Sequence, residues 1–127
     1  MQNTIYIDQN FAIRHELKYS EAAVYGFFTR LPSWADYEII DDKPYYFASR
    51  NMVCKELPLV TDKPDTMYRI YKALESKGLV CLSKSGPKDM VALDREIAIQ
   101  WNNKDYSEKN PTLGKKSELG RKKIRKA

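Results

Sequence analysis

The chain has 127 residues, of which 43% are hydrophobic and 31% are charged, and its formal net charge is +5. This length is enough for one domain with its own core, and no apolar run approaches the length that a membrane-spanning helix needs. The N-terminus lacks the basic-then-apolar order of a secretory signal, so we expect a cytoplasmic protein without a membrane partner.

The positive charge is concentrated in two segments. Residues 43–88 carry a net charge of +5 and residues 115–127 carry +6, whereas residues 1–42 carry −4 and residues 89–114 carry −2. Phosphate groups are attracted by clustered charge, so the excess over residues 43–88 favours a nucleic-acid partner more than the overall charge does.

The first third of the chain predicts two helices and a β-hairpin. Residues 11–18 have the pattern of a short helix, and Ser20 is a good N-cap for a second, strongly apolar helix that Pro32 is expected to end. Aromatic and β-branched residues on both sides of a turn signal at residues 41–44 predict a hairpin, or at least two short strands, over residues 37–40 and 45–47.

Residues 45–80 have the pattern of two helices joined by a short turn. Ser49 is the expected N-cap of the first helix, and Pro58 ends it. The second helix begins near Asp62 and Pro64 and ends before Gly78, which suits the left-handed residue after a helix. One apolar stripe runs along it, formed by Met67, Ile70, Tyr71 and Leu74.

A second hairpin and a last helix are predicted after Gly78. Strand-like residues at 79–82 and 90–93 flank a turn at 85–88. Asp94 is the expected cap of a final helix, on which Trp101 packs back against the domain. We therefore expect one domain over residues 1–103, followed by a polar, basic and disordered tail over residues 104–127.

No arrangement of residues points to catalysis, a cofactor or a metal. The single histidine, His15, and the two cysteines, Cys54 and Cys81, have no metal-ligand spacing and form no nucleophile–base pair. The five glycines are scattered and form no phosphate-binding loop. We expect a protein that is not an enzyme.

Residues 66–80, TMYRIYKALESKGLV, resemble the recognition helix and first wing strand of bacterial winged-helix proteins. More narrowly, residues 5–101 are similar to the N-terminal winged-helix domains of phage and plasmid replication initiators and replisome organisers. The resemblance implies a mainly α fold with a small β component, with four to five helices and a β-hairpin wing. It also implies DNA contacts from Thr66, Tyr68, Arg69 and Lys72. The turn before this helix is longer than in that family and carries Asp62 and Asp65.

These observations lead to two hypotheses of function. The first is sequence-directed binding of duplex DNA, in replication initiation or in transcriptional regulation of a mobile element, with the protein associated with the nucleoid when bound. Its candidate contacts are Lys63, Thr66, Tyr68, Arg69, Lys72, Lys84 and Lys88. The second is a module that uses the same fold to bind a replication or regulatory protein. A homodimer is a further expectation, because many such proteins read two half-sites.

Overall fold

The computed structural model describes residues 6–103, which form an α+β fold of five helices and one four-stranded antiparallel sheet. This confirms the predicted fold class, and the arrangement is compatible with a winged helix. The predicted tail, residues 104–127, lies outside the described residues. The helices are α1 (Gln9–Arg14), α2 (Tyr19–Phe28), α3 (Arg50–Glu56), α4 (Pro64–Ser76) and α5 (Arg95–Ala98), and the strands are β1 (Tyr37–Ile40), β2 (Lys43–Phe47), β3 (Val80–Ser85) and β4 (Lys88–Leu93).

The first helix is shorter than its sequence pattern predicts. Asp8 caps α1 by accepting a hydrogen bond from the Phe11 amide, at 2.9 Å. The helix ends at Arg14, four residues before the predicted end at Lys18, because Glu16 adopts a left-handed φ of 58°. The Leu17 amide then donates back to the Ala12 carbonyl, which is the hydrogen bond that closes many helices at such a turn.

Both predicted ends of α2 are wrong by a few residues. Lys18, not Ser20, is the N-cap, and the Glu21 carboxylate accepts from the Lys18 amide at 3.0 Å. The helix ends at Phe28, where the Thr29 hydroxyl donates to the Gly26 carbonyl. Pro32 does not end α2 but lies in the separate 3-10 turn that follows it, Leu31–Ser33.

The two predicted hairpins are confirmed, and the structure joins them into one sheet with the strand order β1-β2-β4-β3. The junction is short, with Tyr46 opposite Val91 and Phe47 opposite Met90. The β1–β2 turn contains only Asp41 and Asp42, both with positive φ, so β2 begins two residues earlier than predicted. A two-residue turn of this kind matches the natural twist of a hairpin.

The predicted signals for α3 and α4 are confirmed. The Ser49 hydroxyl accepts from the Met52 amide at 3.2 Å, and Pro64 occupies the first turn of α4. Gly78 has a φ of 79° just after the end of α4, as its position predicts. The apolar stripe of α4 is buried, and Tyr71 packs edge-on against Phe28 of α2, with ring centroids 5.1 Å apart.

The last helix closes the other side of the core. Asp94 caps α5 by accepting from the Ile97 amide, as predicted. The prediction that Trp101 lies on this helix is wrong, because α5 ends at Ala98. Trp101 follows α5 and packs edge-on against Phe11 and Tyr25, which stack on each other with centroids 5.0 Å apart. These contacts fix α1 and α5 against α2, and they leave α3, α4 and the β3–β4 hairpin side by side.

Candidate nucleic-acid interface

One face of α4 is open to solvent along the whole helix. Its exposed stripe consists of Asp65, Arg69, Lys72 and Ser76, which lie opposite the buried apolar stripe. At about 100° per residue, Thr66 and Tyr68 fall on opposite flanks of this stripe. The structure therefore places Arg69 and Lys72 together, with Tyr68 on one side, and it separates Thr66 from Tyr68.

Arg50, the first residue of α3, connects the helices to the hairpin. Its Nε and Nη2 donate to the two carboxylate oxygens of Asp89 on β4, at 3.0 and 2.9 Å. Its backbone amide donates to the same carboxylate at 3.2 Å. Asp89 is only 4% exposed, so this pair forms a nearly buried attachment between the start of α3 and the hairpin.

The Arg50 guanidinium also lies against an aromatic ring of α4. Its central carbon is 3.9 Å from the centroid of the Tyr68 ring, and the Lys84 ammonium on β3 is 5.8 Å from the same centroid. Cations are attracted to the face of an aromatic ring at such distances. Tyr68 is thereby held between α3 and β3, and the three side chains form one cluster beside the exposed stripe.

Opposing effects determine the pKa values of the Arg50–Asp89 pair. Burial by itself would raise the pKa of Asp89, but hydrogen bonds from the Arg50 side chain and amide, together with the Arg50 charge, hold the pKa below its usual value. The hydrogen bond to Asp89 likewise raises the pKa of Arg50. Both groups therefore stay charged around neutral pH, and the Arg50 charge is largely compensated within the protein.

The two candidate lysines of the hairpin lie on opposite faces of the sheet. Lys84 is opposite Asp89 in the β3–β4 register, whereas Lys88 is opposite Ser85. Because side chains alternate between faces along a strand, Lys84 shares the helix-facing side with Asp89, and Lys88 lies on the outer side. There the Lys88 ammonium is 5.4 Å from the Phe47 ring centroid. Lys84 therefore lies beside α4, and Lys88 does not.

Lys72 is exposed but has an acidic neighbour. Its ammonium lies 3.0 Å from a carboxylate oxygen of Glu75, and this hydrogen bond raises the pKa of Lys72 and lowers that of Glu75. The other oxygen of Glu75 accepts from the Leu82 amide on β3, at 3.2 Å. Glu75 thus fixes the open edge of β3 against α4. A phosphate that binds Lys72 must compete with this carboxylate.

The start of α4 carries both signs of charge. Lys63 is the N-cap residue, is exposed, and donates its backbone amide to the Thr61 hydroxyl at 3.1 Å. Asp62 and Asp65 are exposed on either side of it. Asp65 precedes Arg69 by one helical turn and lies on the same stripe. The positive surface over α4 is therefore interrupted at its N-terminal end.

The structure gathers Tyr68, Arg69, Lys72 and Lys84 around one side of α4, and it places Lys63 at the helix start. Thr66 and Lys88 lie apart from that group. Arg50, which belongs to the cluster with Tyr68 and Lys84, was not among the predicted site residues, and neither was its partner Asp89. No local pattern pairs two residues that are 39 positions apart in the chain, so only the fold reveals this contact.

Residues 6–103 contain neither a candidate metal site nor a helix that could span a membrane. No group of three or more histidine, cysteine, aspartate or glutamate side chains there could hold a metal ion. Among the same residues, none of the helices combines the length and apolar character needed to span a membrane.

Comparison with known proteins gives one distant likeness. No protein-family model and no curated protein matches the chain. Among solved structures, the chain is similar to one described as the N-terminal domain of a DNA binding protein, at 19% sequence identity. The alignment covers 89% of this chain and 91% of that one, with a TM-score of 0.49. At that level of similarity, any functional conclusion rests on the residues of this chain.

Proposed function

We propose that this chain binds duplex DNA, with α4 in the major groove and the β3–β4 hairpin beside it as a wing. The observation that carries the proposal is the open stripe of α4, on which Arg69 and Lys72 lie next to Tyr68 and Lys84. The N-terminal part of a recognition helix meets base edges, and flanking cations meet phosphates.

The acids at the start of α4 suit base edges better than phosphates. Asp65 lies one turn before Arg69 on the exposed stripe, so both would face the same groove. A carboxylate can accept a hydrogen bond from the amino group of cytosine, and a guanidinium can donate two to guanine. We therefore assign Asp65 and Arg69 to base readout, and Lys63, Lys72 and Lys84 to the phosphate backbone.

The biological process is a finer proposal that rests on the similarity of residues 5–101 to the N-terminal winged-helix domains of phage and plasmid replication initiators and replisome organisers. We propose that the protein acts in replication initiation or in transcriptional regulation of a mobile element. In this proposal the protein is not an enzyme, uses no cofactor, acts in the cytoplasm on nucleoid or element DNA, and binds as a homodimer. The basic residues of the tail add affinity that does not depend on sequence.

The test is binding of a duplex library and of selected duplexes by fluorescence anisotropy over a salt series. Arg69→Ala combined with Lys72→Ala should weaken binding by about 2–4 kcal/mol, and the lost phosphate contact of Lys72 should make the slope of log K against log salt shallower by about one. A matched control removes two exposed cations elsewhere, Arg30→Ala with Arg95→Ala, and should change affinity much less. Equal losses in the two double variants would refute the assignment of α4.

A further inference from the structure

The free edge of the sheet at β1 differs chemically from the α4 surface. Residues 31–42 contain four acidic residues and no basic one. The acids, Asp36, Glu38, Asp41 and Asp42, are all exposed. Tyr37 and Ile39 lie between them and are 57% and 61% exposed, and Trp34, which precedes them, is 55% exposed. This edge is therefore both acidic and apolar.

The register shows which backbone groups of β1 face outward. The Phe47 amide donates to the Asp36 carbonyl at 2.9 Å, so Asp36 and Phe47 form a hydrogen-bonded pair. Such pairs alternate along antiparallel strands, which leaves Tyr37 and Ile39 in the non-bonded positions. The N–H and C=O groups of these two residues consequently point away from β2. Within residues 6–103 no strand lies beyond them.

The opposite edge of the sheet, at β3, is partly covered by a side chain of α4. On β3, the outward Leu82 amide is taken by the Glu75 carboxylate of α4. Within residues 6–103, the outward amides of Tyr37 and Ile39 have no such partner, although the Glu38 carboxylate accepts from the Ser85 hydroxyl of β3 at 3.5 Å. The acids along β1 are of the sign that attracts lysine and arginine. An added strand would gain backbone hydrogen bonds at Tyr37 and Ile39, together with apolar contact on one face.

We propose that the β1 edge is a docking site for an extended segment of another protein in which apolar residues alternate with lysine or arginine. The acidic charge of this edge favours a basic segment of another protein over a second copy of the chain. Antiparallel pairing of β1 with itself would bring Glu38 of the two copies close together, with the acids that flank β1 at the ends of the seam, and like charges across strands are destabilising. The proposal does not depend on DNA binding by α4, because it involves a different surface.

The test uses the full chain and two short capped peptides, one alternating valine with lysine and the other alternating valine with glutamate. NMR titration should show the lysine peptide shifting and protecting the Tyr37 and Ile39 amides from exchange. The glutamate peptide should bind at least about tenfold more weakly. Unchanged exchange at both amides under saturating lysine peptide would overturn the proposal.

Two variants separate strand addition from loose charge attraction. Ile39→Pro removes one outward N–H without removing a donor to β2, and proline is tolerated on edge strands. It should weaken the lysine peptide by about tenfold. Glu38→Lys with Asp36→Lys changes two exposed side chains at positions without a left-handed φ, so it leaves the backbone intact and should cause a similar loss. A matched surface change away from the edge, Ile99→Thr, should leave binding unchanged.

The remaining occupants give distinct outcomes. A dimer in sedimentation that Ile39→Pro dissociates would overturn the assignment in favour of a second copy. The Tyr37 and Ile39 amides of the free chain could already be protected from exchange, and neutralising the basic tail by substitution could remove that protection. This result would overturn the proposed partner in favour of the chain's own tail. Peptide binding that is lost in Arg69→Ala with Lys72→Ala, but kept in Ile39→Pro, would move the site to α4.

Discussion

Replacing Asp89 by asparagine should detach the hairpin from the start of α3. The carboxylate accepts three hydrogen bonds from Arg50, two from the guanidinium and one from the backbone amide. Asparagine keeps one acceptor oxygen and turns an amino group towards a donor. A lost hydrogen bond to a charged group costs about 1.5–3 kcal/mol. Arg50 can still turn towards water, because its side chain is 23% exposed, so we expect Asp89→Asn to cost about 2–3 kcal/mol.

The effect of Asp89→Asn should depend on pH in a defined direction. The folded-state pKa of Asp89 lies below its ordinary value because the Arg50 contacts outweigh burial. The stabilisation is therefore fully present above the unfolded-state pKa of about 3.9, and it is lost as the pH falls through the lower folded-state pKa. The difference between the wild type and Asp89→Asn should be constant near neutral pH and should shrink below about pH 4.

Urea unfolding at neutral pH and at about pH 3, followed by tryptophan fluorescence, measures both quantities. Asp42→Asn is a matched control, because Asp42 is exposed in a turn whose left-handed backbone asparagine also tolerates, and it should change stability by less than about 0.5 kcal/mol. If Asp89→Asn unfolds at the wild-type midpoint, or if its deficit persists unchanged at acid pH, the Arg50–Asp89 pair does not hold the hairpin as argued.

Three further substitutions test separate parts of the structure. Glu75→Gln removes the carboxylate charge beside Lys72 and should tighten duplex binding a few-fold in anisotropy, whereas weaker binding would contradict a phosphate role for Lys72. Tyr71→Phe removes a buried hydroxyl that donates to a backbone carbonyl at 2.6 Å and should cost about 1–2 kcal/mol in urea unfolding; a neutral effect would contradict that contact. Gly26→Ala should cost about 1–3 kcal/mol and alter tryptophan fluorescence, because its new Cβ would lie 2.8 Å from the Trp101 ring and 2.9 Å from the Tyr6 carbonyl oxygen. An unchanged midpoint would contradict the tight packing of both groups against α2.

Most of the secondary structure follows from local chemistry. Ser49, Pro64, Gly78 and Asp94 each act through a cap or a backbone angle, and each lies where its residue type predicts. Each of these signals concerns a few neighbouring residues, so no knowledge of the fold is needed. The buried stripe of α4 is predictable for the same reason, because the helical repeat of about 3.6 residues determines which of its side chains lie on the apolar face.

The errors arise where two local signals compete or where contacts are distant. Ser20 has the better capping side chain, but the Glu21 carboxylate accepts the Lys18 amide and the helix begins earlier. The joining of the two hairpins depends on a short pairing between β2 and β4, which no turn signal encodes. The opposite directions of Lys84 and Lys88 depend on the exact register, since a shift of one residue would exchange their faces.

The ion pairs also change what the charge pattern predicts about DNA binding. Residues 43–88 contain nine cations, but Arg50, Lys72 and Lys77 are each paired with an acid in the fold. Two of those acids, Asp89 and Glu75, also bond backbone amides of α3 and β3, so they position the hairpin as well as neutralise charge. The cations left beside α4 for phosphate or base contacts are chiefly Lys63, Arg69 and Lys84. Each phosphate contact contributes about 0.9 to the salt slope. With Arg69 on base edges, phosphate contacts from Lys63 and Lys84, with or without Lys72, should give the folded domain a slope of about −2 to −3.

The basic tail adds its own phosphate contacts to the slope of the full chain, so the measurement needs a variant in which the basic residues of 115–127 are neutralised. Those residues carry a net charge of +6. With the tail neutralised, a slope between about −2 and −4 is expected if the paired cations keep their acidic partners on DNA. A slope well beyond that range would mean that phosphates displace Glu75 and Asp89 from their cations. The hairpin would then have to move when DNA binds, because those two carboxylates hold it against α4 and α3.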